Sequence, residues 1–146
     1  MKKIMILNGP NLNLLGKREP EIYGDETLEK INTSISSLAN ELGISVFFSQ
    51  TNSEGDIVDH LHEADREFDG VILNPAGYTH TSVAILDAVA SISVPVIEVH
   101  ITNIYGREEF RRHSVTAAGA IGVISGFGSN SYHLALRAMK EHLDGE

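Results

Sequence analysis

The sequence contains no cysteine and no tryptophan. Without cysteine there can be no disulfides, thiolate metal sites or cysteine nucleophiles. Basic residues are scarce: 11 lysines and arginines stand against 20 acidic residues, for a net charge of −9. Phosphate backbones are bound by basic surface, so this balance argues against nucleic acid as the main partner. Long apolar runs are also missing. None approaches the ~20 residues that span a bilayer, so no membrane helix is expected. Met1-Lys2-Lys3 is followed by only four apolar residues before Asn8-Gly9-Pro10. That is too short for the apolar core of a signal peptide, and a cytoplasmic protein is expected.

The remaining composition is that of an ordinary globular chain: 146 residues, 42% hydrophobic and 21% charged. This length suits one domain over residues 1–146, burying roughly 70% of its unfolded surface.

The pattern along the chain alternates between two periods. Lys3 to Leu7 is a nearly continuous apolar run, as in a strand covered on both faces. Asn8 to Gly24 is rich in Gly, Pro and Asn and reads as a long loop; loops above ~12 residues in compact domains are usually functional or disordered. Thr27 to Leu42 carries apolar residues at helical spacing and stops at Gly43. Ile44 to Ser49 reads as a strand, and Ser53 with Asp56 opens a helix. Gly70 to Leu73 and Val94 to Ile101 read as strands, with a helix at Thr81 to Ser91 between them. Arg107 to Arg112 is expected to form a short helix, Ala120 to Ile124 a fifth strand, and Asn130 to Leu143 a final helix. Strands alternating with helices predict an α/β domain: a flavodoxin-like, doubly wound, five-stranded parallel sheet with helices on both faces. Such sheets bind ligands beyond the carboxyl ends of their strands.

The segment after the first strand lacks the hydroxyl-rich phosphate loop of a flavodoxin. Asn8 and Asn74 stand where a receiver domain would need acids. A non-catalytic module binding a nucleotide or a partner protein therefore lacks its main chemical feature. Arg18 and Tyr23 share the long loop. A guanidinium near a phenol favours the phenolate, and such a pair on a closing loop supplies a base and excludes water. Spacing alone is better met by two exposed loop residues.

Strand alternation puts Glu98, His100 and Thr102 on one side of the fourth strand. A buried carboxylate is costly unless paired, and Glu98 beside His100 would fix the imidazole's orientation and tautomer. The alternative is a self-satisfied polar pair in the sheet. Arg107 and Arg111 share one face of the expected helix and suit a carboxylate; a solvated basic face also fits. Asn74 and His80 flank a turn after the third strand, and Asp87 lies about two helical turns beyond His80. On spacing alone, ordinary turn and capping chemistry is the simpler explanation of these. Gly126-Phe127-Gly128 lacks the third glycine of a dinucleotide loop, and His60 and His62 do not face each other on a helix. No metal site is expected.

Taken together, these segments resemble the type II 3-dehydroquinate dehydratases, or type II dehydroquinases. The resemblance is carried by Leu7-Asn8-Gly9-Pro10-Asn11-Leu12-Asn13-Leu14-Leu15-Gly16 with Arg18-Glu19-Pro20 and Tyr23-Gly24, by Asn74-Pro75-Ala76-Gly77-Tyr78-Thr79-His80-Thr81-Ser82, and by Glu98-Val99-His100-Ile101-Thr102-Asn103-Ile104 with Arg107-Glu108. It spans nearly the whole chain, in order.

The resemblance implies dehydration of 3-dehydroquinate to 3-dehydroshikimate through an enolate, with no cofactor. It implies Tyr23 as base, Arg18 keeping it ionised, and Asn11, with Pro10 and Gly77 backbone groups, holding a water against the enolate. His100, oriented by Glu98, protonates the leaving hydroxyl. Ile101 and Thr102 bind the carboxylate, Asn74, His80 and Arg111 hold the rest of the substrate, and Arg107 assists. Residues 8–25 form the lid of the site. Asp87 reaches a neighbouring subunit's site, which implies a trimer as the catalytic unit and four trimers, a dodecamer, as the usual assembly. A relative acting on another hydroxy-ketone acid is the remaining alternative. The type I dehydroquinases use a lysine Schiff base on a barrel of ~250 residues, which this chain is too short to form.

Overall fold

The computed structural model describes residues 1–145. Five strands, β1 (Lys3–Asn8), β2 (Ser45–Gln50), β3 (Gly70–Asn74), β4 (Val96–His100) and β5 (Gly122–Ser125), form one sheet in the order β2-β1-β3-β4-β5. Every neighbouring pair is parallel. The helices are α1 (Pro20–Tyr23), α2 (Leu28–Leu42), α3 (Glu54–Glu67), α4 (Val83–Ser91) and α5 (Asn130–Asp144).

The apolar run of β1 alternates between two cores. Ile4 and Ile6 pack with α2 and α5, beside Ile35 and Leu136. Met5 and Leu7 pack with α3 and α4, beside Leu61 and Ile85. A sheet buried on both faces needs apolar residues at successive positions, and this explains the continuous runs in β1 and β3. The doubly wound architecture expected from the sequence is present. Among the described residues, no helix is long and apolar enough to cross a membrane.

Helix starts follow local chemistry. The side chains of Thr27, Ser53 and Ser82 accept from the amides of Lys30, Asp56 and Ile85. Ser82 therefore caps α4, which begins at Val83 rather than at Thr81. Gly43, at φ 71°, closes α2 in the left-handed region.

Other bounds differ from the sequence reading too, several strands by one residue at an end. β4 begins at Val96, after Pro95, whose carbonyl still accepts from Val71. β5 covers Gly122–Ser125 rather than 120–124. No α-helix forms over 107–112; two 3-10 turns, Ile104–Gly106 and Glu109–Arg111, take its place. The Asn103 side chain accepts from Tyr105, and Arg107 and Glu108 then leave the helical region, with ψ −168° and 150°, so each turn closes separately. The long segment after β1 also holds local structure, a 3-10 turn at Leu12–Leu14 and the single turn of α1.

The chain winds from β1 out to β2, then crosses back past β1 to β3. The strand order therefore reverses at the β1–β3 pair, where Asn8 and Asn74 sit in register at the carboxyl ends. A crevice opens there because the connections leave in opposite directions.

Candidate active site

A cleft lies at this reversal. Three regions enclose it: Pro10, Asn11, Arg18 and Tyr23 after β1; Asn74, Gly77 and His80 after β3; and His100 to Arg111 after β4. Of the fourteen residues to which the resemblance gives a role, twelve line the cleft, and Glu98 stands directly behind His100. The exception is Asp87, which lies exposed on α4 and does not line the cleft of its own chain.

Tyr23 is half-buried between two cations. The Arg18 guanidinium lies 4.8 Å from the ring centroid and that of Arg107 5.3 Å away. Arg107 also donates to the Tyr23 hydroxyl at 3.2 Å and to Thr102 Oγ1 at 3.3 Å. Burial disfavours the Arg107 cation, but the hydrogen bond and charge of Tyr23, with Glu108 beside them, outweigh this and raise its pKa. Arg18 pairs at 3.7 Å with Glu19. The sequence reading centred on Arg18, five residues from Tyr23; the guanidinium that bonds the phenolic oxygen is Arg107.

Glu98 and His100 are both buried, at 1% and 5% exposure. His100 Nε2 donates to Glu98 Oε2 at 2.8 Å, leaving Nδ1 as the other ring nitrogen for the cleft. Ser114 donates to the same carboxylate oxygen at 2.8 Å, and Thr116 donates to the other. Burial pushes the Glu98 carboxyl up, but the His100 hydrogen bond and the Thr116 and Ser114 donors outweigh it. The net shift is below its ordinary value of 4.5. A charged Glu98 accepts from all three partners, so the imidazole cannot turn without breaking the set.

The other cleft residues are held as firmly. Asn11 adopts φ 69°, a left-handed conformation that asparagine tolerates, and its amide donates to Asn52 Oδ1 at 3.0 Å. Gly9 lies so close to the turn after β3 that a Cβ there would sit 2.7 Å from the Pro75 carbonyl oxygen. His80 Nδ1 donates to the His113 carbonyl at 2.8 Å, which leaves Nε2 for a ligand. Arg111 is aimed by Glu108, which accepts from its Nε at 2.9 Å. That bond also holds the exposed Glu108 carboxyl below its usual value.

Three residues of this site were not singled out from the sequence. Ser114 and Thr116 close the coordination of Glu98, and Tyr132 bonds both Asn8 and Asn74. Ser114 and Thr116 sit in a stretch without periodicity. Tyr132 occupies an apolar-face position on α5, where its ring reads as core. Only its hydroxyl was a signal.

The cleft thus offers a phenol between guanidiniums, an imidazole aligned by a carboxylate, and amide groups on its floor. This set can remove a proton, stabilise the resulting anion and return a proton elsewhere on a small acid. Residues 2–140 match the family model for dehydroquinase class II. A 3-dehydroquinate dehydratase of Caldanaerobacter subterraneus is 58% identical over 140 residues, covering 96% of this chain and 95% of that protein. The crystal structure of a type II dehydroquinase from Butyrivibrio crossotus superposes with a TM-score of 0.93 at 45% identity, over 94% of this chain and 97% of that one. A second, from Propionibacterium acnes, gives 0.93 at 43% identity, over 97% of both chains.

Proposed function

This chain belongs to the class II dehydroquinase family, and from that membership we propose that it dehydrates 3-dehydroquinate to 3-dehydroshikimate in the shikimate pathway. The reaction is an elimination in two halves. Tyr23, as phenolate, removes a proton from the carbon next to the ketone, and the electron pair moves onto the ketone oxygen. Arg18 and Arg107 stabilise negative charge on the phenolic oxygen. Asn11 and the Pro10 and Gly77 backbone hold a water against the enolate oxygen; dipoles arranged in advance often supply a large part of catalysis. The enolate then collapses, the carbon–oxygen bond to the hydroxyl breaks, and His100 hands that oxygen a proton. Water leaves, and Glu98 compensates charge on the imidazole throughout.

Substrate binding falls to the other cleft residues. Ile101 and Thr102 hold the carboxylate, and Asn74, His80 and Arg111 hold the remaining oxygens. Residues 8–25 act as the lid. Asp87 serves a neighbouring subunit's cleft within a trimer, and four trimers form a dodecamer in the cytoplasm.

The observation that carries this reading is that Tyr23 and His100 line one cleft together with Arg107 and Arg111. The test is the appearance of the conjugated enone by absorbance, with purified protein and dehydroquinate alone. Turnover after dialysis against a chelator supports the cofactor-free route. A covalent adduct trapped by borohydride would overturn the enolate mechanism.

A further inference from the structure

Tyr132 is fully buried on α5, yet its hydroxyl lies at the carboxyl ends of β1 and β3. Asn8 Oδ1 lies 2.6 Å from the phenolic oxygen and Asn74 Nδ2 lies 3.0 Å from it. Asn74 Oδ1 in turn accepts from the Ala76 amide at 3.0 Å. A phenol has one proton to give. Given to Asn8, it leaves the phenolic oxygen free to accept from Asn74. If Asn8 instead turned its NH2 inward, the oxygen would face two donors and the phenolic proton would have no acceptor among these groups. An unpaired buried donor is costly, so the first arrangement prevails.

The consequence reaches the cleft. Flipping the Asn74 amide would set its NH2 against the Ala76 N–H and its oxygen against a phenol whose proton is committed. The amide is therefore locked. One of its two N–H groups goes to Tyr132, and the second remains for the cleft that Asn74 lines. We propose that Tyr132, with its proton held by Asn8, is a positioning residue that locks the Asn74 amide so that Asn74 offers a donor to a substrate oxygen. This rests on the dehydratase reading and adds to it a residue outside the cleft. Burial pushes the Tyr132 phenol up and the Asn74 bond brings it only partway back, so the proton stays in place.

The test is a double-mutant cycle on turnover of dehydroquinate with Tyr132→Phe, Asn74→Ala and the pair. Tyr132→Phe keeps the ring that fills the core. Alone it should raise KM about tenfold, the scale of one displaced hydrogen bond, and change kcat much less. The double variant should be no worse than Asn74→Ala, because Tyr132 acts through Asn74. Multiplying losses would mean independent, merely structural effects and would overturn the inference. Exchange of the Asn74 side-chain amide protons, followed by NMR, gives a readout free of activity and is decisive if Asn74→Ala does not fold. Tyr132→Phe should speed that exchange about tenfold, and an unchanged rate would overturn the lock. Wild-type protein that binds but never turns over dehydroquinate sinks the dehydratase reading instead, while the exchange result still decides the lock.

Discussion

Arg107 donates to the Tyr23 hydroxyl at 3.2 Å across 84 residues of sequence, and the same guanidinium nitrogen reaches Thr102. One planar cation thus joins the segment after β1 to the loop after β4. A lysine supplies a charge but lacks that geometry. Arg107→Lys is therefore expected to lower kcat about tenfold and Arg107→Ala about a hundredfold, with comparable melting temperatures. Steady-state rates beside thermal scans check this, and an Arg107→Ala enzyme with wild-type kcat would remove Arg107 from the chemistry.

Tyr23→Phe deletes one oxygen from a half-buried ring. If that oxygen is the base, turnover should fall by about 10²–10⁴. Its hydroxyl accepts one hydrogen bond from Arg107, so folding stability should change by only about 1 kcal/mol. The enone assay and urea melts separate the two effects. Full activity in this variant would exclude Tyr23 as the base.

Glu98 gives the pH prediction. Its folded pKa lies below the ordinary value of 4.5, so folding favours its ionised form. The resulting stability is fully present above about 4.5 and is lost as pH falls through the lower, folded value. Melting temperatures from pH 6 down to 3 should fall more steeply in wild type than in Glu98→Gln, which cannot titrate there. The same variant should lose about a hundredfold in kcat, because a neutral amide aligns and compensates the imidazole poorly. Parallel melting curves would mean that Glu98 does not titrate with folding.

Asp87 is exposed and outside its own chain's cleft. Asp87→Ala should leave the circular dichroism spectrum unchanged and raise KM about tenfold, if it serves a neighbouring subunit. Sedimentation at falling concentration, with activity measured in parallel, tests the trimer. A monomer with undiminished activity rules out a shared site.

Much of this was legible because burial leaves a regular imprint. The two-sided core of β1 shows as unbroken apolar residues, and α2 shows its face at helical spacing before Gly43. The Glu98–His100 pair was legible from alternation alone, since two polar side chains on one face of a buried strand must find each other. Contacts made by chain crossing were not legible. Proximity in sequence favoured Arg18 as the neighbour of Tyr23, and nothing local announces that Arg107 arrives at the same oxygen. The helix expected over 107–112 failed for a related reason: arginine spacing fits a helical face, but Arg107 and Glu108 are extended and divide the segment into separate turns. The phenol of Tyr132 was hidden because a buried tyrosine on an apolar face looks like packing until its hydroxyl is located.

The bed between β1 and β3 is built from Asn8, Asn74 and the phenol of Tyr132. Amides do not ionise, and this phenol is pushed further from doing so by its burial. The bed therefore holds no group that changes charge around neutral pH. There, pH can alter the grip on a bound molecule only through the side walls, so a mutated wall residue should leave its own titration in the binding curve, uncontaminated from below.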